Sequence, residues 1–125
     1  MEHVRSRVTR ALKLADETGD PAWLRFAVVG GGQAGIDLAG EIAELVGTRR
    51  ARISLLLPDV PEPARRSAVR DLVERGVDVW LPVRVVGADD EGLEIDGGLR
   101  MPARTVIWPL KDFSSTARTT RRVTI

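Results

Sequence analysis

The chain has 125 residues, the size of one ordinary domain. Its 19 basic and 18 acidic residues leave a net charge of +1, so no overall field favours nucleic acid or an anionic membrane. Cysteine is absent and His3 is the single histidine, which excludes disulfides and Cys or His metal clusters. No apolar run approaches the roughly 20 residues that span a bilayer, and no secretory signal is visible. We therefore expect a cytoplasmic chain with no transmembrane segment and no nucleic-acid partner.

The first two-thirds of the sequence predicts a helix followed by alternating strands and helices. Apolar residues recur at helical spacing over residues 4–17, and Thr18-Gly19-Asp20-Pro21 is a stop signal. The later elements, in order, are a strand at 24–29, a helix beginning near Ile36 and stopping at Gly47, a strand at 53–57, a helix at 62–75 and a strand at 77–81. This β-α-β-α-β order calls for a parallel sheet with right-handed crossovers.

The pattern changes after Pro82 to short strands separated by acidic and glycine-rich turns. The turns Asp89-Asp90-Glu91-Gly92 and Asp96-Gly97-Gly98 predict a three-stranded antiparallel meander, with strands at 83–86, 93–95 and 99–101. One further buried strand is predicted at 105–108. The fold class is therefore α/β, with a Rossmann-like βαβαβ parallel sheet, a meander and a preceding helix. We divide the chain into an N-terminal helix and linker (1–22), a Rossmann domain (23–109) and a flexible Arg/Ser/Thr-rich tail (110–125).

The turn between the first strand and the second helix carries a phosphate-binding pattern. It reads Gly30-Gly31-Gly32-Gln33-Ala34-Gly35, which satisfies G-x-G-x-x-G. The first glycine permits the tight turn, the second lets a pyrophosphate approach the backbone, and the third lets the helix pack close to the strand. A turn that only connects a strand to a helix is the alternative, but the flanking strand, helix and second strand favour a dinucleotide site.

Three stretches, FAVVGGGQAGIDLAGEIAELV, ARISLLL and ERGVDVWLPVRVVGADDEGLEIDGGLRMPARTVIW, carry a family resemblance. Together they resemble the NAD(H)-binding domain of the FAD-dependent pyridine nucleotide-disulfide oxidoreductase superfamily. Within it the chain is most similar to type II NADH dehydrogenases, membrane-peripheral FAD enzymes that pass electrons from NADH to quinone. The resemblance covers residues 24–108. It implies an NAD(H) site on the glycine turn, with FAD expected only in a full-length relative.

The second strand departs from the family pattern at its end. Leu57 stands where the family has a glutamate that accepts hydrogen bonds from the adenosine ribose. Because leucine cannot accept these hydrogen bonds, NADH binding should be weaker by about 1–3 kcal/mol. Asp59 is the candidate substitute if the loop folds back. Arg65 and Arg66 lie further along, where a solvated helix face is a more ordinary role than binding a 2′-phosphate.

Two differences fall within the turn and the helix behind it. Asp37 replaces a family glutamate that the resemblance places near the nicotinamide, although an acidic residue in a first helical turn also suits the helix dipole. Gln33 stands where proline is usual, and its side-chain amide is a candidate phosphate contact.

Trp23, Trp80 and Trp108 are interpreted as packing residues beside strands.

The resemblance ends at Trp108. Relatives continue into Ala-Ala-Gly, whereas this chain runs Pro109-Leu110-Lys111 into the tail, which suggests truncation or a shifted reading frame. The sequence has no second G-x-G-x-x-G, so we expect the chain to lack a flavin of its own and not to turn over alone. The expected partners are a dinucleotide and either an FAD-binding chain or a second copy. Two alternatives stay open: a non-catalytic Rossmann interaction module, and a fragment of an NADPH-linked flavoprotein reductase.

Overall fold

A computed structural model describes residues 2–30, 32–47 and 50–108 of the chain. The three helices are α1 (Glu2–Thr18), α2 (Gly32–Val46) and α3 (Pro63–Glu74), with a short 3₁₀ helix at Pro21–Leu24. The seven strands are β1 (Arg25–Val29), β2 (Arg52–Leu56), β3 (Asp78–Trp80), β4 (Val85–Asp89), β5 (Gly92–Ile95), β6 (Leu99–Pro102) and β7 (Thr105–Ile107). The predicted tail, 110–125, lies outside the described residues, as does Gly31.

Four strands form a parallel sheet in the order β3-β2-β1-β7. The register sets Phe26 beside Ile53 on one side of β1 and beside Thr105 on the other, and all three neighbouring pairs are parallel. The chain builds outward from β1 through β2 to β3, and then returns to add β7 on the opposite side of β1. The predicted α/β class with a βαβαβ parallel sheet, a meander and a preceding helix is confirmed.

Alternate residues of the strands point to two different layers. One core lies between the sheet and the three helices, and its fully buried members include Val8, Phe26, Val28, Ile42 and Leu55. The other core lies between the sheet and the meander, and its members are Ala27, Val29, Leu56, Leu93, Ile95, Met101 and Ala103. Because both faces of the central strands are covered, those strands are apolar almost throughout, as the sequence pattern indicated.

The meander forms a separate three-stranded antiparallel sheet in the order β4-β5-β6. Its first strand begins two residues later than predicted, at Val85, because the Val83 amide donates to the Leu57 carbonyl at 2.9 Å and so ties Val83 to the end of β2. The turn at residues 96–98 forms as predicted, with the Gly98 amide donating to the Ile95 carbonyl at 3.0 Å.

Long-range contacts join the N-terminal elements to the last strand. An Nη of Arg7 in α1 donates to the Val106 carbonyl of β7 at 3.2 Å. Just before the 3₁₀ segment, Asp20 pairs with Arg104 at 3.1 Å, and the Arg104 guanidinium lies 5.3 Å from the centre of the Trp23 ring. The helix predicted at the start of the chain is therefore packed as part of the same core as the sheet.

Candidate functional site: the glycine turn

The glycine turn lies at the carboxyl end of β1, between β1 and α2. Since β2 and β7 flank β1 on opposite sides, the strand order reverses at this point. Ligands of open parallel sheets bind outside the carboxyl ends of the strands at such a reversal, where neighbouring loops diverge and leave a crevice. The topology therefore puts the motif at the position where this class of fold offers a binding site.

The first and third motif glycines are in direct backbone contact. Gly30 has φ +103°, and its amide continues the β1 ladder by donating to the Leu56 carbonyl at 3.0 Å. A Cβ added at Gly35, which is buried, would lie 2.5 Å from the Gly30 carbonyl oxygen and 3.5 Å from a methyl of Leu55. Only glycine permits this approach of the helix to the strand, which is the role that the motif spacing predicts for its last glycine.

The second half of the turn is open to solvent. Gly32 begins α2 with φ +70°, and it is exposed, as are Gln33 and Ala34. The first amides of a helix have no intrahelical acceptor, and together they carry a partial positive charge. An anion can therefore reach these donors without displacing a side chain, which fits the phosphate group of a nucleotide.

Gln33 and Asp37 are partners of each other. The Gln33 amide donates to the Asp37 carboxylate at 2.8 Å, across one turn of the exposed face of α2. This i,i+4 contact is of the kind that stabilises helices in solution. The structure thus gives the Gln33 side-chain amide a protein acceptor, the Asp37 carboxylate, near the start of α2.

Leu57 and Asp59 occupy different environments after β2. The Leu57 side chain is 4% exposed and packs in the core under the helices, while its backbone bonds to Trp80 and Val83 at 2.9 Å each. Asp59 is exposed in the connection from β2 to α3, at the same edge of the sheet as the glycine turn. The described contacts do not bring Asp59 to the turn.

A cation near the turn was not assigned by the sequence reasoning. The atom nearest to a Cβ added at Gly32 is an Nη of Arg65, at 3.9 Å. Arg65 lies in the first turn of α3 with its side chain 33% exposed, whereas its neighbour Arg66 is exposed as predicted. The order of the elements could have indicated this proximity, because helices that follow adjacent parallel strands both begin at the same edge of the sheet.

The three tryptophans behave differently from one another. Trp23 and Trp80 are half-buried against the two cores, as predicted. The prediction that Trp108 packs beside a strand is wrong, because β7 ends at Ile107 and Trp108 is 50% exposed just beyond it. Its chain position puts it at the carboxyl edge of the sheet, next to the strand that precedes the glycine turn.

The shifted pKa values belong to structural contacts. Burial lowers the pKa of Arg7. The pKa of Asp20 is lowered by the hydrogen bond from the Ala22 amide and by Arg104, and that of Asp89 by the Glu91 amide and by Arg100.

Over residues 2–30, 32–47 and 50–108, no group of His, Cys, Asp and Glu side chains is arranged to hold a metal ion. In the same ranges no helix combines the length and apolarity needed to cross a membrane.

Comparison with known proteins points to one class of enzyme. The chain is 30% identical over 121 residues to the type II NADH:quinone oxidoreductase Ndh of Mycobacterium tuberculosis, a match that covers 78% of this chain. It spans about a quarter of that relative, 26% of its length. No protein-family model matches the sequence. The relative supports the resemblance to oxidoreductases of the NADH dehydrogenase type.

Proposed function

We propose that this chain is the NAD(H)-binding portion of an FAD-dependent NADH dehydrogenase of the NADH:quinone oxidoreductase type. The observation that carries the proposal is the contact of Gly35 with the Gly30 carbonyl at the point where the sheet order reverses. It supplies the close strand-to-helix approach and the open helix N-terminus on which a dinucleotide diphosphate rests. The similarity to a mycobacterial type II NADH:quinone oxidoreductase supports the same conclusion.

Different residues in and near the turn would bind different parts of the dinucleotide. The amides that follow Gly30 and begin α2 would hold the diphosphate, for which Gly32 leaves room. Asp37, whose carboxylate accepts a hydrogen bond from the Gln33 side-chain amide at 2.8 Å, would lie toward the nicotinamide half of the dinucleotide. Leu57 is buried in the core and cannot serve as the ribose anchor. Asp59 would take that role only after movement of the β2–α3 connection, because the described contacts do not bring it to the turn.

Catalysis would depend on a flavin that this chain would not hold by itself. A flavin bound by another chain or domain would supply the acceptor for the hydride of the dihydronicotinamide. The sequence contains one G-x-G-x-x-G and no second copy for an FAD diphosphate. We therefore propose that the isolated chain binds NADH without oxidising it, and that an FAD-binding chain or domain completes the site.

Two other functions remain as alternatives, each with a specific observation. Leu57 removes the carboxylate that would repel a 2′-phosphate, which favours an NADPH-linked flavoprotein reductase. Trp108, half exposed at the edge of the sheet, is of the residue type enriched in protein interfaces, which fits a non-catalytic Rossmann module that acts through a protein partner.

Calorimetric titration of NADH, NADPH and FAD into the purified chain tests these functions together. Micromolar binding of NADH, with weaker NADPH and no FAD, is the expected result. Tighter NADPH than NADH would select the NADPH-linked reductase. Failure to bind either nucleotide at millimolar concentration would leave the interaction module, and NADH oxidation by the chain alone would overturn the proposed dependence on a flavin-binding partner.

A further inference from the structure

Arg65 brings a positive charge from α3 to the beginning of α2. Its Nη lies 3.9 Å from the place that a Cβ of Gly32 would occupy. Apart from the chain neighbours of Gly32 and the backbone of its own helix, no other atom of the described residues comes within 4 Å of that place. Gly32 is exposed and has φ +70°, so the backbone there faces open space with a guanidinium at its border. The glycine turn at this point is where the motif predicts that a diphosphate meets the backbone.

The guanidinium is loosely held in its present position. Its ion-pair partner is Glu62, at 3.6 Å and 66% exposed, a distance too long for a hydrogen bond. An ion pair of this length at the surface contributes little. An arriving phosphate could therefore attract the guanidinium without breaking a strong contact, and the planar fork of arginine matches two phosphate oxygens.

We propose that Arg65 is a phosphate-contacting residue of the dinucleotide site, and that it binds the bridging diphosphate. The inference rests on the proposed function, since it concerns the same turn, but it assigns a role to a residue that lies outside the glycine motif. The charge at Gly32 favours the diphosphate over a 2′-phosphate. The latter is carried by the adenosine ribose, which a residue at the end of the second strand anchors in this fold.

The substitution Arg65→Gln tests this assignment, with Arg66→Gln as the matched control. Arg66 is the next residue of the same helix, and its Nε donates to the Pro61 carbonyl at 3.4 Å. We expect Arg65→Gln to weaken NADH, NADPH and ADP by a common factor of about ten or more, the usual effect of losing a charge-assisted phosphate contact. Arg66→Gln should leave all three affinities unchanged.

Two further measurements strengthen the test. Arg65→Lys keeps the charge but loses the fork, so its affinities should fall between those of the wild type and Arg65→Gln. Raising the salt concentration should weaken ADP binding less in Arg65→Gln than in the wild type, because the phosphate contact is screened by salt. Circular dichroism establishes that each variant folds.

The outcomes separate this inference from the proposed function. Wild-type NADH binding that Arg65→Gln leaves intact would overturn the role of Arg65 alone, and so would a loss confined to NADPH. Binding of ADP that depends on Arg65, in a chain that does not bind NADH, would overturn the proposed function and support the phosphate contact. If neither NADH, NADPH nor ADP binds, both are wrong.

Discussion

A Cβ added at Gly35 would lie 2.5 Å from the carbonyl oxygen of Gly30, so the start of α2 and the end of β1 touch through their backbones. This contact sets the distance between the helix and the sheet at the proposed nucleotide site. It also joins the stability of the fold to the shape of the turn, because any side chain at position 35 must push the two elements apart.

Gly35→Ala should destabilise the chain by about 1–3 kcal/mol, the usual range for overpacking, although alanine is the better helix former. Gly40→Ala in the same helix is the control, since the added carbon would meet only Arg75 and Leu72 at 3.6 and 3.7 Å, ordinary contact distances. Urea unfolding followed by circular dichroism measures both. The helix–strand contact would be contradicted if the two variants were equally stable.

Leu57→Glu should destabilise the chain by at least about 2 kcal/mol and should not restore a ribose anchor. The reason is that Leu57 packs in the core at 4% exposure, where a carboxylate loses its hydration. Leu57→Met, which nearly conserves volume, should cost less than about 1.5 kcal/mol. Urea unfolding and an NADH titration check both expectations, and a stable Leu57→Glu protein with tighter NADH binding would show that position 57 faces the ligand.

Gly92→Ala should destabilise the meander. The added carbon would fall far inside van der Waals contact with the Met101 carbonyl, on the strand that pairs with β5. Gly87→Ala, in the neighbouring strand, places its carbon near Glu94 alone, at 3.8 Å, and serves as the control. Thermal unfolding should show a lower Tm for Gly92→Ala than for Gly87→Ala, and identical Tm values would contradict the close pairing of β5 with β6 at this position.

The stability contributed by Asp20 should be lost in acid. Its folded pKa is lowered by the Ala22 amide, which donates at 2.9 Å, and by Arg104 at 3.1 Å. A carboxyl group whose pKa is lower in the folded than in the unfolded state stabilises the fold at pH values above its unfolded pKa, about 3.9. This contribution disappears as the pH falls through the folded pKa. Asp20→Asn should therefore be less stable than the wild type at about pH 7, with a difference that narrows below about pH 4. Urea midpoints measured across this range test the expectation, and a constant difference would contradict it.

Most of the element order could be predicted from the sequence because helices and strands leave local patterns. The apolar spacing over residues 4–17 and the stop at Gly19 predicted α1, and the acidic and glycine turns predicted the meander. The ends were less accurate where a distant partner decides them. Val83 was assigned to the first meander strand, but its amide is taken by Leu57.

The sequence by itself determined the kinds of element, their order and the glycine spacing of the turn, since these depend on residues close together in the chain. Only the tertiary structure decided which residues meet across the sheet. It buried Leu57 under the helices, left Trp108 exposed, and set Arg65 beside Gly32. These outcomes depend on strand order and on which face each helix covers, so contacts such as Arg7 with Val106, separated by 99 positions, have no local signal.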